Sequence, residues 1–240
     1  MKNNANHYIQ RQKKYYIFTR IITCILVSFI VSTSYADDSN ISAVFIGNSI
    51  TRHGPAPAIG WTGNWGMAAS VAEKDYVWQV TQKLLVKSSQ SFNISPLESV
   101  PEGMHLQNSM LITARQSQLL VIQLGDNVKK ENISNFNSAY IKLLSNTKPI
   151  QGLLICLSTW YRNSTIDAII EQACDYAGGR YIQIGDIHRN PDFTAVNQGF
   201  SHSGVGSHPS DAGMAEIAKR ISVTFKEYNS GLGNHSSRQP

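Results

Sequence analysis

The chain has 240 residues, enough for one domain with a substantial core. Its formal net charge is +5, from 21 basic and 16 acidic residues. Five of the basic residues (Lys2, Arg11, Lys13, Lys14 and Arg20) fall in the first 36 positions, which hold no Asp or Glu; the rest is neutral, so charge makes no case for a nucleic-acid partner.

Residues 1–36 read as a secretory signal peptide. A basic region ends at Arg20, an apolar run follows from Ile21 to Val31, and Ser34-Tyr35-Ala36 puts small residues at the minus-three and minus-one positions of a cleavage site before Asp37. The competing reading is a retained anchor. The run is short for a bilayer core that needs about 20 apolar residues, so no stable membrane anchor is expected and the protein is expected to be secreted or periplasmic. Cys24 would leave with the signal, and the Ile-Ile-Thr before it makes a poor lipoprotein site.

The first strand is predicted at Ser42–Gly47, an apolar β-branched and aromatic run that stops at a glycine. A Gly- and Pro-rich loop covers 51–64, and a helix is predicted over Trp65–Val86. Phe92–Ser95 is a weak second strand, residues 96–108 are irregular, and Ser109–Arg115 is a short helix. Leu119–Leu124 is a strong third strand closed by Gly125. An amphipathic helix covers Glu131–Asn146, with Ile133, Phe136, Tyr140, Leu143 and Leu144 on one face. Gly152–Leu157 is the fourth strand. Ser164 is expected to cap the next helix, which Gly178-Gly179 ends. Arg180–Ile184 is the fifth strand. A long loop, 185–209, leads to a last helix over Ser210–Tyr228, with Met214, Ile217, Ala218, Ile221 and Phe225 facing inward. The main domain spans 37–229, and 230–240 is a polar C-terminal tail.

Apolar strands alternating with helices imply an α/β fold: a three-layer α/β/α sandwich around a flavodoxin-like parallel sheet of about five strands, in the order 2-1-3-4-5. That order sets strands one and three side by side at the topological switch point, where ligands bind beyond the strands' carboxyl ends.

Three loops at that edge carry candidate chemistry. Gly47-Asn48-Ser49 leaves a serine just past strand one; alone, such a sequence is more often a simple turn. Gly125-Asp126-Asn127 follows strand three; Asn127 offers an amide donor for an oxyanion, or else forms an ordinary turn or helix cap. Ser207-His208-Pro209-Ser210-Asp211 precedes the last helix, and a histidine there can act as general base toward a serine, where a lone one is usually a solvated loop residue. Together they put Ser, Asn and His on one edge of one sheet.

Gly47-Asn48-Ser49-Ile50, Gly125-x-Asn127 and His208-Pro-x-Asp-x-Gly-Met resemble blocks I, III and V of the SGNH (GDSL-type) hydrolases, over about Ser42 to Tyr228. The resemblance implies Ser49 as nucleophile, His208 as base, and Asn127 with the Ser49 backbone N–H as oxyanion donors. It implies hydrolysis of carboxylic esters, such as acetylated sugars, lipids or thioesters, without a cofactor. Two positions depart from the pattern. The family's aspartate three residues before the histidine is Val205 here, so a backbone carbonyl of the Ser203–Ser207 loop, or Asp186, Asp192 or Asp211, would have to orient the base. The block II glycine has only Gly103 as a candidate.

The sequence therefore reads as a secreted serine esterase whose partner is a small-molecule or polysaccharide ester, with acetylated carbohydrate as one candidate. A non-catalytic carbohydrate- or envelope-binding module on the same fold is the alternative, motivated by Val205. Trp61 and Trp65 either line a pocket beside Ser49 or pack the start of the following helix. Trp160-Tyr161-Arg162 are placed on the other side of the cleft. His53, His105, His188 and His202 lack the close spacing of metal ligands. Cys156 and Cys174 are expected to stay unpaired, because Cys174 falls roughly 16 Å below the start of its helix at 1.5 Å per residue, beyond disulfide reach.

Overall fold

The computed structural model describes residues 41–94 and 108–236. The segment expected to be a signal peptide, residues 1–36, and Gly103 lie outside the described residues. The strands are β1 (Ser42–Gly47), β2 (Ser88–Asn93), β3 (Leu119–Gln123), β4 (Leu153–Leu157) and β5 (Arg180–Ile182). The helices are α1 (Tyr76–Lys83), α2 (Asn108–Gln116), α3 (Ile133–Thr147), α4 (Ser164–Tyr176), α5 (Ser203–Gly206) and α6 (Asp211–Ser236).

The five strands form one parallel sheet in the expected order, β2-β1-β3-β4-β5. Side chains alternate along each strand, so each face has its own core. Ala43, Phe45, Leu119, Val121 and Ile155 pack under α1 and α6, against Tyr76, Val80, Met214, Ile217, Ile221 and Phe225. Val44, Ile46, Leu120, Ile122 and Cys156 pack under α2, α3 and α4, against Met110, Phe136, Tyr140, Ile166 and Ile170. Burial on both faces is why the central strands read as unbroken apolar runs. In register, Gly47 lies between Asn93 on β2 and Gln123 on β3, so three chain segments leave the sheet edge at one level.

The structure corrects several boundaries. The helix expected over Trp65–Val86 forms only at Tyr76–Lys83. Asp75 stops it from starting earlier: its carboxylate caps α1 by accepting from Trp78 N at 2.6 Å, and takes Gly66 N at 3.1 Å. Ahead of it, Trp65 bridges to His53 and Ala68 sits at a φ of 72°. The second strand runs over Ser88–Asn93, not Phe92–Ser95. It is an edge strand with a mostly exposed, polar sequence, so it has no apolar signature. The cap of α4 is Asn163, whose side chain accepts from Ile166 N, and not Ser164. The 185–209 loop holds two 3-10 turns and α5. The last helix runs on to Ser236, so the expected polar tail is helical as far as that residue.

Cys156 and Cys174 are both free and buried, yet they are not distant. They share one apolar cluster, and each thiol lies within reach of the other. The helix begins above the strand's end: Asp167, in the first turn, accepts from Thr159 N at 2.7 Å and Thr159 Oγ1 at 2.8 Å. From that shared level, three strand residues descend about 10 Å to Cys156 and seven helix residues about 10.5 Å to Cys174.

Candidate active site

Gly47 ends β1 where a side chain would not fit. A Cβ there would collide with Thr51 Oγ1 and lie 2.7 Å from the Gln123 carbonyl oxygen. The chain then turns tightly: Thr51 N and Arg52 N both donate to Asn48 O at 3.0 Å. Thr51 is fixed in turn by a buried hydroxyl contact with Tyr76 at 2.7 Å. The turn leaves Ser49 partly exposed. Its carbonyl accepts from Met67 N at 2.8 Å, and its N–H has no acceptor among the described residues.

Ser49 Oγ lies 2.7 Å from His208 Nε2. Nδ1 of the same ring lies 2.6 Å from Gly204 O. A carbonyl can only accept, so Nδ1 carries the proton and Nε2 presents its lone pair to the serine hydroxyl. The ring is only 9% exposed. Burial disfavours the imidazolium and pushes the pKa down to about 4, while the bond to Gly204 acts the other way. The resting histidine is thus neutral at neutral pH, the form that can take a proton from Ser49.

The histidine loop is held from several sides. Trp160 Nε1 donates to Ser207 O at 2.9 Å, Ser207 Oγ donates to Gly204 O at 2.9 Å, and Tyr161 OH stands 3.0 Å from Ser207 Oγ. Ala195 N donates to His208 O at 2.9 Å. His202 Nδ1 accepts from Gly204 N at 3.1 Å and caps α5, the short helix that supplies the orienting carbonyl. Asp126 ties β3 to this group by accepting from Tyr161 N at 3.1 Å and Gln123 Nε2 at 2.6 Å, and burial pushes it up to about 6.

Ser49, His208 and Asn127 line one cavity of about 370 Å³, together with Asn48, His53, Ile59, Met67, Asn93, Ile94, His202, Gly204 and Val205. No protein-family model and no curated protein matches the chain. Solved structures do. A protein described as a GDSL-like lipase from Bacteroides uniformis is 12% identical and superposes with a TM-score of 0.55, over 82% of this chain and 100% of that one. A family two carbohydrate esterase from Clostridium thermocellum, in complex with cellohexaose, is 15% identical with a TM-score of 0.55, over 79% of this chain and 65% of that one. A two-domain esterase active on acetylated mannans, co-crystallized with mannopentaose, is 14% identical with a TM-score of 0.50, over 78% of this chain and 50% of that one. This chain has the SGNH hydrolase fold. It spans about two thirds and one half of the lengths of the two carbohydrate-active structures.

Within the SGNH fold, the three block residues converge as their loops suggest. Val205, at the position of the usual aspartate, is fully buried in a cluster with Trp61, Met67, Ala68 and Ala195. The aspartates weighed as substitutes are engaged elsewhere or stand apart from the ring. Asp186 pairs with Arg220, Asp211 accepts from Ser70 N and Oγ, and exposed Asp192 makes no contact with His208. The orienting group is a backbone carbonyl of the Ser203–Ser207 loop, that of Gly204. Trp61 does not line the cavity; it is buried behind Val205, edge-on to Trp65. Trp160 and Tyr161 brace the histidine loop and do not line the cavity, and Arg162 is exposed. Asn93, at the end of β2, and His53 and His202 line the cavity but were not singled out by their spacing. The described residues hold no cluster of three or more metal-ligating side chains, and no helix among them is long and apolar enough to cross a membrane.

Proposed function

We propose that the protein is a secreted or periplasmic serine esterase that hydrolyses carboxylic esters, with acetylated carbohydrate as the candidate substrate class. The observation that carries this reading is the 2.7 Å contact between Ser49 Oγ and His208 Nε2, with Nδ1 fixed on the Gly204 carbonyl. Ser49 attacks the ester carbonyl while His208 takes its proton. The oxyanion is met by the unpaired Ser49 N–H and by Asn127, each worth roughly 3 kcal/mol to such a transition state. His208 then protonates the leaving alcohol, and water discharges the acyl-enzyme by the reverse proton route. The esterase names of the structural neighbours support the reaction class, and the carbohydrate in two of them motivates the substrate class.

The test is turnover of a chromogenic acetyl ester by wild type and by Ser49→Ala, with labelling by a serine-directed phosphonate. Turnover and labelling that vanish in Ser49→Ala support the reading. A wild type that is inert and unlabelled overturns it in favour of a non-catalytic binding module. Export is tested by mass spectrometry of the mature protein, with Asp37 as the expected first residue.

A further inference from the structure

We propose that His53 and His202 form a hydroxyl-reading subsite beside Ser49, which selects esters of neutral polyhydroxy compounds; this builds on the esterase reading above. Both rings line the cavity that holds Ser49 and His208. Their own backbone contacts fix their tautomers in opposite senses. His53 Nδ1 lies 2.6 Å from Gly54 O, and a carbonyl only accepts, so Nδ1 carries a proton and, in the neutral ring, Nε2 is a bare acceptor. His202 Nδ1 lies 3.1 Å from Gly204 N, and a backbone N–H only donates, so Nδ1 is bare and the neutral ring carries its proton on Nε2. Neither Nε2 has a hydrogen-bond partner among the described residues.

In their neutral forms the two rings therefore offer the cavity one acceptor and one donor. A hydroxyl is donor and acceptor at once, so a compound bearing two or more can donate to His53 and accept from His202 in a single pose. Besides Ser49 and His208, the other polar side chains lining the cavity among the described residues, Asn48, Asn93 and Asn127, are neutral amides, and no Asp, Glu, Lys or Arg among the described residues lines it. Among these residues a charged substrate finds no counter-charge, whereas a sugar finds matched partners. His202 also caps α5, so the residue that reads the hydroxyl sits two positions from the carbonyl that orients the base.

The first experiment needs no turnover. Full-length Ser49→Ala is titrated with methyl β-glucoside while the ring nitrogens are followed by NMR. Saturable shifts of Nε2 in both His53 and His202, absent with sodium acetate, are expected; no shift of either ring overturns the proposal. The second uses kinetics. His53→Phe removes the acceptor, and His202→Asn removes the donor while its side-chain oxygen still caps Gly204 N–H. Each is expected to lower, by about five- to tenfold, the ratio of kcat/KM for a mono-acetylated methyl glucoside to that for 4-nitrophenyl acetate, with the change in KM. Ratios within twofold of wild type for both variants overturn the proposal. Failure of the wild type to hydrolyse either ester overturns the esterase reading, while the glycoside titration still decides the subsite.

Discussion

The turn that carries Ser49 and the loop that carries His208 meet at one contact, but they are held by different means. The serine turn is fixed by backbone and steric fit: a glycine with no room for a side chain, two amides on the Asn48 carbonyl, and a buried hydroxyl pair beneath. The histidine loop is fixed by side chains: an indole and a phenol that reach in from outside it, and a serine hydroxyl and an imidazole cap of its own. A turn built from its own backbone carries its geometry in a short local motif. A loop braced by distant residues does not.

The contrast is sharpest in mutants that separate chemistry from support. Ser49→Ala, which deletes the proposed attacking oxygen, is expected to lower kcat by about 10⁴-fold or more, with the melting temperature little changed. Asn127→Ala removes the proposed oxyanion donor from an exposed loop, and a loss of about 10²- to 10³-fold in kcat is expected with KM near wild type. An equal rise in KM with kcat unchanged would assign Asn127 to binding shared by the ground and transition states instead.

Two variants probe the histidine side. Val205→Asp restores the residue type usual in the family, yet the site is fully buried among Trp61, Met67, Ala68 and Ala195. An unpaired carboxylate there is expected to destabilise the fold by about 3–5 kcal/mol in urea unfolding, without raising kcat. A rise in kcat would mean that the Gly204 carbonyl is a poor substitute for the aspartate. Trp160→Phe keeps most of the ring volume but leaves the Ser207 carbonyl without its indole donor. A loss of about tenfold in kcat is expected, comparable to one buried hydrogen bond of about 1–1.5 kcal/mol. An unchanged kcat would show that Ala195 and Tyr161 hold the loop without it.

These differences explain what could be read from the residues. The sheet order, its two-faced burial and the inward stripe of α6 follow from periodicity, because burial on both faces leaves long apolar runs. Ser49, Asn127 and His208 were visible because each sits in a short string at a strand end or helix start. The second strand was misplaced because an edge strand of Ser, Gln and Asn has no apolar period to detect. The start of α1 was misplaced because Asp75 acts through its side chain on Gly66, nine residues away. The orienter of His208 had no residue type to find, since any residue at position 204 supplies a carbonyl. Nothing in the sequence marks His53 and His202 as a pair, since the two residues that the cavity unites lie 149 positions apart.

The smallest predicted effect concerns pH, and it bears on how tightly the histidine loop closes over its ring. Desolvation penalises the charged imidazole, so the folded pKa falls below the ordinary value, to about 4, and the base stays neutral as the pH drops. With an ordinary value near 6.5, only about a tenth of the base would be neutral at about pH 5.5; at about 4, nearly all of it is. The acid limb of kcat/KM, which reports the free enzyme, is therefore expected near pH 4, with most activity kept at pH 5.5. Asp126, at the same end of the sheet, is pushed up to about 6 by its own burial and also titrates in this range. Asp126→Asn separates the two, because it removes a limb near 6 but leaves one near 4. A limb near 6.5 that survives Asp126→Asn, and survives His53→Phe and His202→Asn as well, would mean that water reaches the His208 ring, and that the side-chain bracing is looser than the backbone turn it faces.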